Sequence, residues 1–233
     1  MTTTERVAQI EENLAAVRRT IAAACAEAGR DPSEVTLVAI TKTFGEDDVR
    51  ALAGLGVTAL GENRESELKV KAPATAGLGI EWHFVGQLQS NKARSVARYA
   101  DVIHSVDRES LVAALAKTER PLRCLVQVAL SDDDGVIAPR GGVVPDGVLP
   151  LADLIAETPG LRLGGVMAVA PLGADPDRAF EQLAGIAERL RAAHPDASWV
   201  SAGMSEDMAA AIRHGATHVR VGRALLGERA TAG

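Results

Sequence analysis

Two hydrophobic rhythms alternate along this chain. Short, near-continuous apolar runs rich in β-branched residues read as buried parallel strands. Between them lie segments in which apolar residues recur every three or four positions, as on a helix with one buried face. The first such segment sets Val7, Ile10, Leu14, Val17 and Ile21 on one stripe, with Glu11, Arg18, Arg19 and Glu27 largely outside it. It predicts a helix over about 4–28, which Gly29 is placed to end. Asp31-Pro32 then turns the chain into a first strand, Val35-Thr36-Leu37-Val38-Ala39-Ile40-Thr41-Lys42. Further strands are predicted at 57–60, 81–85, 101–106, 122–130, 161–169, 198–201 and 217–221. Helices are predicted at 47–55, 64–72, 92–99, 108–117, 148–157, 177–193 and 207–214. The alternation amounts to about eight strand–helix units, which predicts an α/β fold, a (β/α)8 TIM barrel. No compositional shift marks a linker, so residues 1–233 read as one domain with the N-terminal helix packed on the barrel. Residues 131–147, rich in Asp, Gly and Pro, read as the longest loop and a mobile one.

Composition narrows the partners. The net charge is −6 and no basic block is present, which argues against a nucleic-acid backbone as ligand. No apolar run approaches the roughly 20 residues of a membrane span, and the N-terminus lacks a signal peptide's apolar core. Cys25 and Cys124 sit among apolar residues without a CxxC spacing. They read as small buried hydrophobes in a reducing cytoplasm. The histidines show no metal-ligand spacing.

Candidate chemistry gathers at the strand ends. Lys42 closes an apolar strand where the chain turns toward a helix. Sites in barrel enzymes are built at that end of the sheet. The plain alternative is a lysine reaching to solvent. Barrels often hold a phosphate between the loops after strands seven and eight. Here those loops read Ser201-Ala202-Gly203-Met204-Ser205 and Val221-Gly222-Arg223. Ser205 is a good helix N-cap, the free N–H groups beside it favour an anion, and Gly203 and Gly222 permit close backbone approach. An ordinary capped helix and an ordinary turn glycine are the alternatives. Arg220 lies between Val219 and Val221, so it faces away from them, into the barrel if the valines pack on helices. It reads as a donor aimed at a ligand or as half of a structural ion pair. Asn63 follows strand two at the same mouth, or is a simple turn asparagine; His83 reads as a core histidine. A phosphorylated aldehyde would use lysine, cradle and arginine together. Desolvation at the strand end would free the Lys42 amine for condensation. Pyridoxal 5′-phosphate (PLP) is the leading candidate.

The motifs Thr41-Lys42-Thr43, Gly61-Glu62-Asn63, His83-Phe84-Val85-Gly86-Gln87-Leu88-Gln89-Ser90-Asn91-Lys92, Gly165-Val166-Met167-Ala168, Ser201-Ala202-Gly203-Met204-Ser205 and Val219-Arg220-Val221-Gly222 occur in that order. Together they resemble the pyridoxal-phosphate homeostasis protein family, single-domain relatives of the alanine racemase N-terminal barrel of the fold-type-III kind. The resemblance implies Lys42 as the Schiff-base lysine and Asn63 near the cofactor's 3-oxygen. It implies phosphate contacts from Ser201, Gly203, Met204, Ser205, Gly222 and the Arg223 backbone, with Arg220 beside the pyridine nitrogen. Two departures stand out. Position 223 is Arg where the family often has a small hydroxyl residue, and Arg140-Gly141-Gly142 replaces a Lys-x-Gly pattern.

The expected function is PLP binding in vitamin B6 homeostasis, without substantial catalysis. Expected partners are PLP and PLP-dependent apoenzymes, with no nucleic acid and no membrane; a cytoplasmic monomer is the default. An alanine-racemase-like PLP enzyme acting on amino acids is the alternative. It needs acid–base groups on both faces of the substrate α-carbon, and only Lys42 is evident. A Schiff-base aldolase acting on a phosphorylated sugar is a third reading, and it would carry no chromophore.

Overall fold

The computed structural model describes residues 2–132, 134–137 and 141–227. Helix α1 (Thr3–Glu27) starts at a capping box, in which Thr2 and Glu5 satisfy each other's backbone N–H groups. Its buried stripe is Ile10, Leu14, Val17, Ile21, Ala24 and Cys25. Then follow β1 (Thr36–Ile40), α2 (Glu46–Gly54), β2 (Ala59–Glu62), α3 (Glu65–Ala74), β3 (Glu81–Phe84), α4 (Ala93–Ala97), β4 (Val102–Val106) and α5 (Glu109–Leu115). The chain continues through β5 (Leu122–Gln127), α6 (Val148–Glu157), β6 (Leu161–Met167), α7 (Pro176–Ala193), β7 (Trp199–Ser201), α8 (Met208–Arg213), β8 (His218–Val221) and α9 (Arg223–Leu226).

The eight strands run parallel in sequence order and close into a barrel. Closure pairs β1 with β8, with Val38 opposite Arg220 and Ala39 opposite Val221. The period of two divides each strand between two environments. Trp82, Phe84, Val219 and Val221 face outward into the main core, shared with the helices. Between them His83 and Arg220 face inward and are buried. Among the described residues the interior holds two small apolar clusters, Val38 with Ile40 and Ala59, and Val102 with Leu125 and Met167. Helix α1 is tied to the far end of the chain. Arg6 and Asn13 donate to the carbonyls of Leu226 and Leu225 at 3.0 and 2.9 Å, and Arg30 donates to Ile212 and Ala216.

Several strands stop earlier than their apolar runs suggest. β1 ends at Ile40, β5 at Gln127 and β6 at Met167. One residue beyond each still bonds to the neighbouring strand, Thr41 to Gly61, Val128 to Met167 and Ala168 to Ser201, before the chain turns into the loops at the mouth. Helix α9 was not expected. In the loop after β5, the Asp132 carboxylate accepts from the Asp134 and Val136 N–H groups, and bridges form at Ser131–Ile137 and Val128–Val143. Arg140 of that loop lies outside the described residues. Cys25 and Cys124 are free and buried, and burial pushes the Cys124 thiol up to about 12.

Candidate functional site

Lys42 lies in the turn after β1 and is exposed. The expectation of a desolvated amine is therefore corrected. The strand stops two residues before it, so its side chain starts in a turn open to solvent. Its neighbours are held firmly. Thr43 is the one described non-glycine residue with a positive φ, 70°. Its N–H donates to Glu67 Oε2 at 2.6 Å, and Lys71 Nζ donates to the Thr41 carbonyl at 2.8 Å.

Those two partners belong to a buried ion cluster between β2 and α3. Lys71 donates to Glu62 Oε1 at 2.6 Å and to Glu67 Oε2 at 3.0 Å, and Thr41 Oγ1 donates to Glu62 Oε1 at 2.5 Å. Glu62 is 0% exposed, and its Oε2 has no partner among the described residues. Burial pushes the Glu62 carboxyl up, opposed by the hydrogen bonds from Lys71 and Thr41. Burial also pushes on Glu67, but the Thr43 N–H and Lys71 outweigh it and hold that carboxyl low. Sequence reasoning missed this cluster. A signal existed, because Leu68, Lys71 and Thr75 occupy one buried face of the segment, at helical spacing.

Arg220 is the most constrained group at the mouth. Its Nη1 donates to Ser201 Oγ at 2.7 Å and its Nη2 to the Ala168 carbonyl at 2.8 Å. Burial lowers it to about 10, so it stays protonated at neutral pH. The expected inward orientation holds; the Arg220 acceptors are a hydroxyl and a carbonyl rather than a carboxylate. Behind Ser201, His104 Nδ1 lies 2.9 Å from Ser201 Oγ, and His104 Nε2 lies 2.8 Å from His83 Nδ1. His83 is a fully buried core histidine, as its place in β3 suggested, with Nε2 2.9 Å from Glu81 Oε1. Burial, then His83, Arg220 and His218, hold His104 well below its ordinary value. His218, also inside the barrel, is pushed down to about 3, chiefly by burial.

The loop after β7 is bonded to β8, since the Arg220 N–H donates to the Gly203 carbonyl at 2.9 Å. Ser205, however, caps nothing. Helix α8 begins at Met208, and residues 205–207 form the turn before it. Asp207 takes the local role, its Oδ1 accepting from the Met204 N–H at 2.6 Å. The N–H groups of Ser205 and Glu206 have no backbone acceptor. Gly203 adopts φ 89°, and a Cβ there would sit 2.7 Å from Ala211 Cβ. Close packing of α8, not ligand approach, already demands glycine at that position. At Gly222 a Cβ would come 3.2 Å from the Ile40 carbonyl oxygen. Met204 and Ser205 are exposed at the rim, and Arg223 pairs with Glu206 across the two loops at 3.4 Å. Ser201 is 0% exposed, with its hydroxyl committed to His104 and Arg220. Asn63 follows β2, and its Oδ1 is buried without a partner among the described residues. An orphaned amide oxygen, an oriented guanidinium, backbone N–H groups without acceptors and an exposed lysine amine suit a ligand with an aldehyde, a ring and a phosphate. Among the described residues no cluster of His, Cys, Asp or Glu could hold a metal, and no helix is long and apolar enough to cross a membrane.

Comparison with known proteins identifies the family. The family model described as alanine racemase, N-terminal domain, matches residues 7–230. A pyridoxal phosphate homeostasis protein of Mycobacterium tuberculosis (strain H37Rv) is 44% identical, over 97% of this chain and 95% of that one. The Mycobacterium leprae protein of the same name is 42% identical, over 96% and 94%. Among solved structures, PipY of Synechococcus elongatus with PLP bound superposes with a TM-score of 0.77 at 29% identity, covering 94% of this chain and 100% of that one. Barrel and site thus define a protein of the alanine racemase N-terminal domain class. Within that class, the chain belongs to the pyridoxal phosphate homeostasis protein family.

Proposed function

We propose that this protein binds PLP at the barrel mouth and serves vitamin B6 homeostasis without substantial catalysis of its own. The observation that carries the reading is Arg220. It is buried, oriented by Ser201 and the Ala168 carbonyl, and sits on the strand that pairs with the one leading to Lys42. PLP supplies an aldehyde that condenses with a free amine, and a ring that withdraws electrons best when its nitrogen is protonated. Lys42 offers the amine. Asn63, in the loop after β2, offers its unpartnered Oδ1 as an acceptor. The backbone at Gly203, Ser205, Gly222 and Arg223 offers N–H groups to a phosphate, whereas the Met204 N–H is held by Asp207 Oδ1 and reaches one only by leaving it. Arg220 donates toward the ring nitrogen and, as a fixed cation, opposes its protonation. The site therefore favours holding the cofactor over labilising bonds on it.

A racemase also needs a second acid–base group facing Lys42. His83 and His104 are committed inside the barrel, and Tyr99 packs half-buried against the helical core. The reading treats the barrel with α1 as one functional unit, acting in the cytoplasm as a monomer and passing PLP to apoenzymes. Borohydride reduction of protein loaded with PLP, followed by peptide mapping, tests it. Label on Lys42 is the expected result, and label chiefly on Lys92 or Lys71 would refute the assignment.

A further inference from the structure

Resting on the PLP reading, we propose that Glu81, His83 and His104 are positioning residues for the cofactor site. They form a one-directional hydrogen-bond relay through the barrel interior that sets the Ser201 hydroxyl and, through it, Arg220.

The direction follows from donor and acceptor chemistry. Glu81 begins β3, at the end of the barrel opposite the mouth, and its side chain is 45% exposed. The hydrogen bond from His83 holds its carboxyl below the usual range, so it is ionised and only accepts. His83 Nε2 therefore carries a proton and donates to Glu81 across 2.9 Å. The relay assigns the fully buried His83 the Nε2–H tautomer, whose Nδ1 is an acceptor. His104 Nε2 then donates to it across 2.8 Å. His104 is kept neutral by burial and by the groups around it, so its Nδ1 also accepts. Its neighbour there is Ser201 Oγ at 2.9 Å, which donates its single proton. The remaining lone pairs of Ser201 Oγ face Arg220 Nη1 at 2.7 Å, and the Ala168 carbonyl takes Nη2. Every donor in the chain points from the mouth toward Glu81. No member is left unsatisfied, and no second neutral assignment begins from an ionised Glu81.

The relay revises the part played by Ser201. Its only proton is spent on His104, so the hydroxyl acts on the cofactor through Arg220 rather than as a donor to phosphate. Glu81 touches nothing at the mouth, yet it anchors the sense of the whole chain.

The test is long-range 1H–15N NMR of the histidine rings in protein labelled with 15N-histidine, with and without PLP. The expected result is the Nε2–H tautomer for both His83 and His104. In Glu81→Ala, with an unchanged circular dichroism spectrum, the His104 ring nitrogens should shift although residue 81 does not contact them. Glu81→Gln, which keeps an acceptor oxygen, should restore the wild-type pattern. PLP retention by equilibrium dialysis should fall about 3- to 10-fold in Glu81→Ala, the effect of losing one orienting hydrogen bond. An Nδ1–H tautomer or an imidazolium at either ring, or unmoved His104 signals in Glu81→Ala, would overturn the relay. Coupled rings with unchanged PLP retention would overturn the positioning role. If the wild type binds no PLP, the functional reading and the positioning role fall with it, and the ring spectra alone decide whether the relay exists.

Discussion

Replacing Lys71 by methionine should destabilise the fold more than most single substitutions. Lys71 is 5% exposed and, among the described residues, is the only cation bonded to Glu62, which is 0% exposed. Methionine has similar length and fills the space, so the change isolates the charge. It leaves Glu62 buried with Thr41 as its one remaining donor among the described residues, and it takes one of two donors from the Thr41 carbonyl, which keeps the Phe44 N–H. Breaking a buried pair by removing one partner costs about 3–5 kcal/mol. That is a large share of the roughly 5–15 kcal/mol by which a typical domain is stable. For a chain of this length each kcal/mol moves Tm by about 2–4 °C, so a fall of about 6–20 °C is expected.

The pH dependence provides a second, independent check. Burial raises the folded Glu62 carboxyl above its unfolded value, and loss of Lys71 raises it further. Stability is then fully present below the unfolded value and is lost as pH rises through the folded one. The deficit of Lys71→Met should therefore be smallest near pH 4–5 and largest near pH 8. Adding Glu62→Gln should recover much of it. Thermal melts followed by circular dichroism across that range are the assay. A Tm within about 2 °C of wild type at pH 8, with no pH-dependent difference, would refute the account of Glu62 as a buried charge that needs Lys71.

Lys42→Ala should abolish the visible absorbance of PLP-loaded protein while leaving measurable noncovalent affinity by equilibrium dialysis, because Arg220 and the loop N–H groups remain. Gly203→Ala should lower stability by about 1–3 kcal/mol, since φ 89° is unfavourable for alanine and the new Cβ meets Ala211; urea unfolding measures it. The α-proton of L- or D-alanine should exchange in deuterated water at well below one per second, roughly the low end for enzymes. Lys42-dependent exchange at that rate or faster, followed by NMR, would restore the racemase alternative.

Strand–helix alternation was enough to read the barrel, because buried strands and amphipathic helices leave different periods in a sequence. The same alternation placed Arg220 inward, between two valines that do face the helices. Boundaries were harder. A strand ends where its ladder partner ends, so the Thr41-Lys42 overhang depends on β2 and β8 rather than on its own residues. Ser205 shows the limit of local signals. It has the right side chain for a cap, but α8 starts at Met208, and Asp207 bonds the Met204 N–H instead. The Glu62–Lys71 pair and the His83–His104 contact join separate elements, so only their buried-face spacing was visible in advance.

The β1–β8 seam has a consequence for biosynthesis. Lys42 emerges early from the ribosome, whereas Ser201 and Arg220 lie on the final two strands of the barrel and Gly203 in the loop between them. On the proposed PLP reading, a nascent chain therefore carries the Lys42 amine long before the residues proposed to hold the phosphate are made. The barrel closes only when β8 pairs with β1, with Val38 opposite Arg220. A ligand that bridges that seam would clasp together the first and last strands of the barrel. By mass action it adds about 2.7 kcal/mol when present at a hundred times its Kd. Vitamin supply would then act during maturation, raising the yield of closed barrels, and translation in the absence of PLP should leave more chain open to protease.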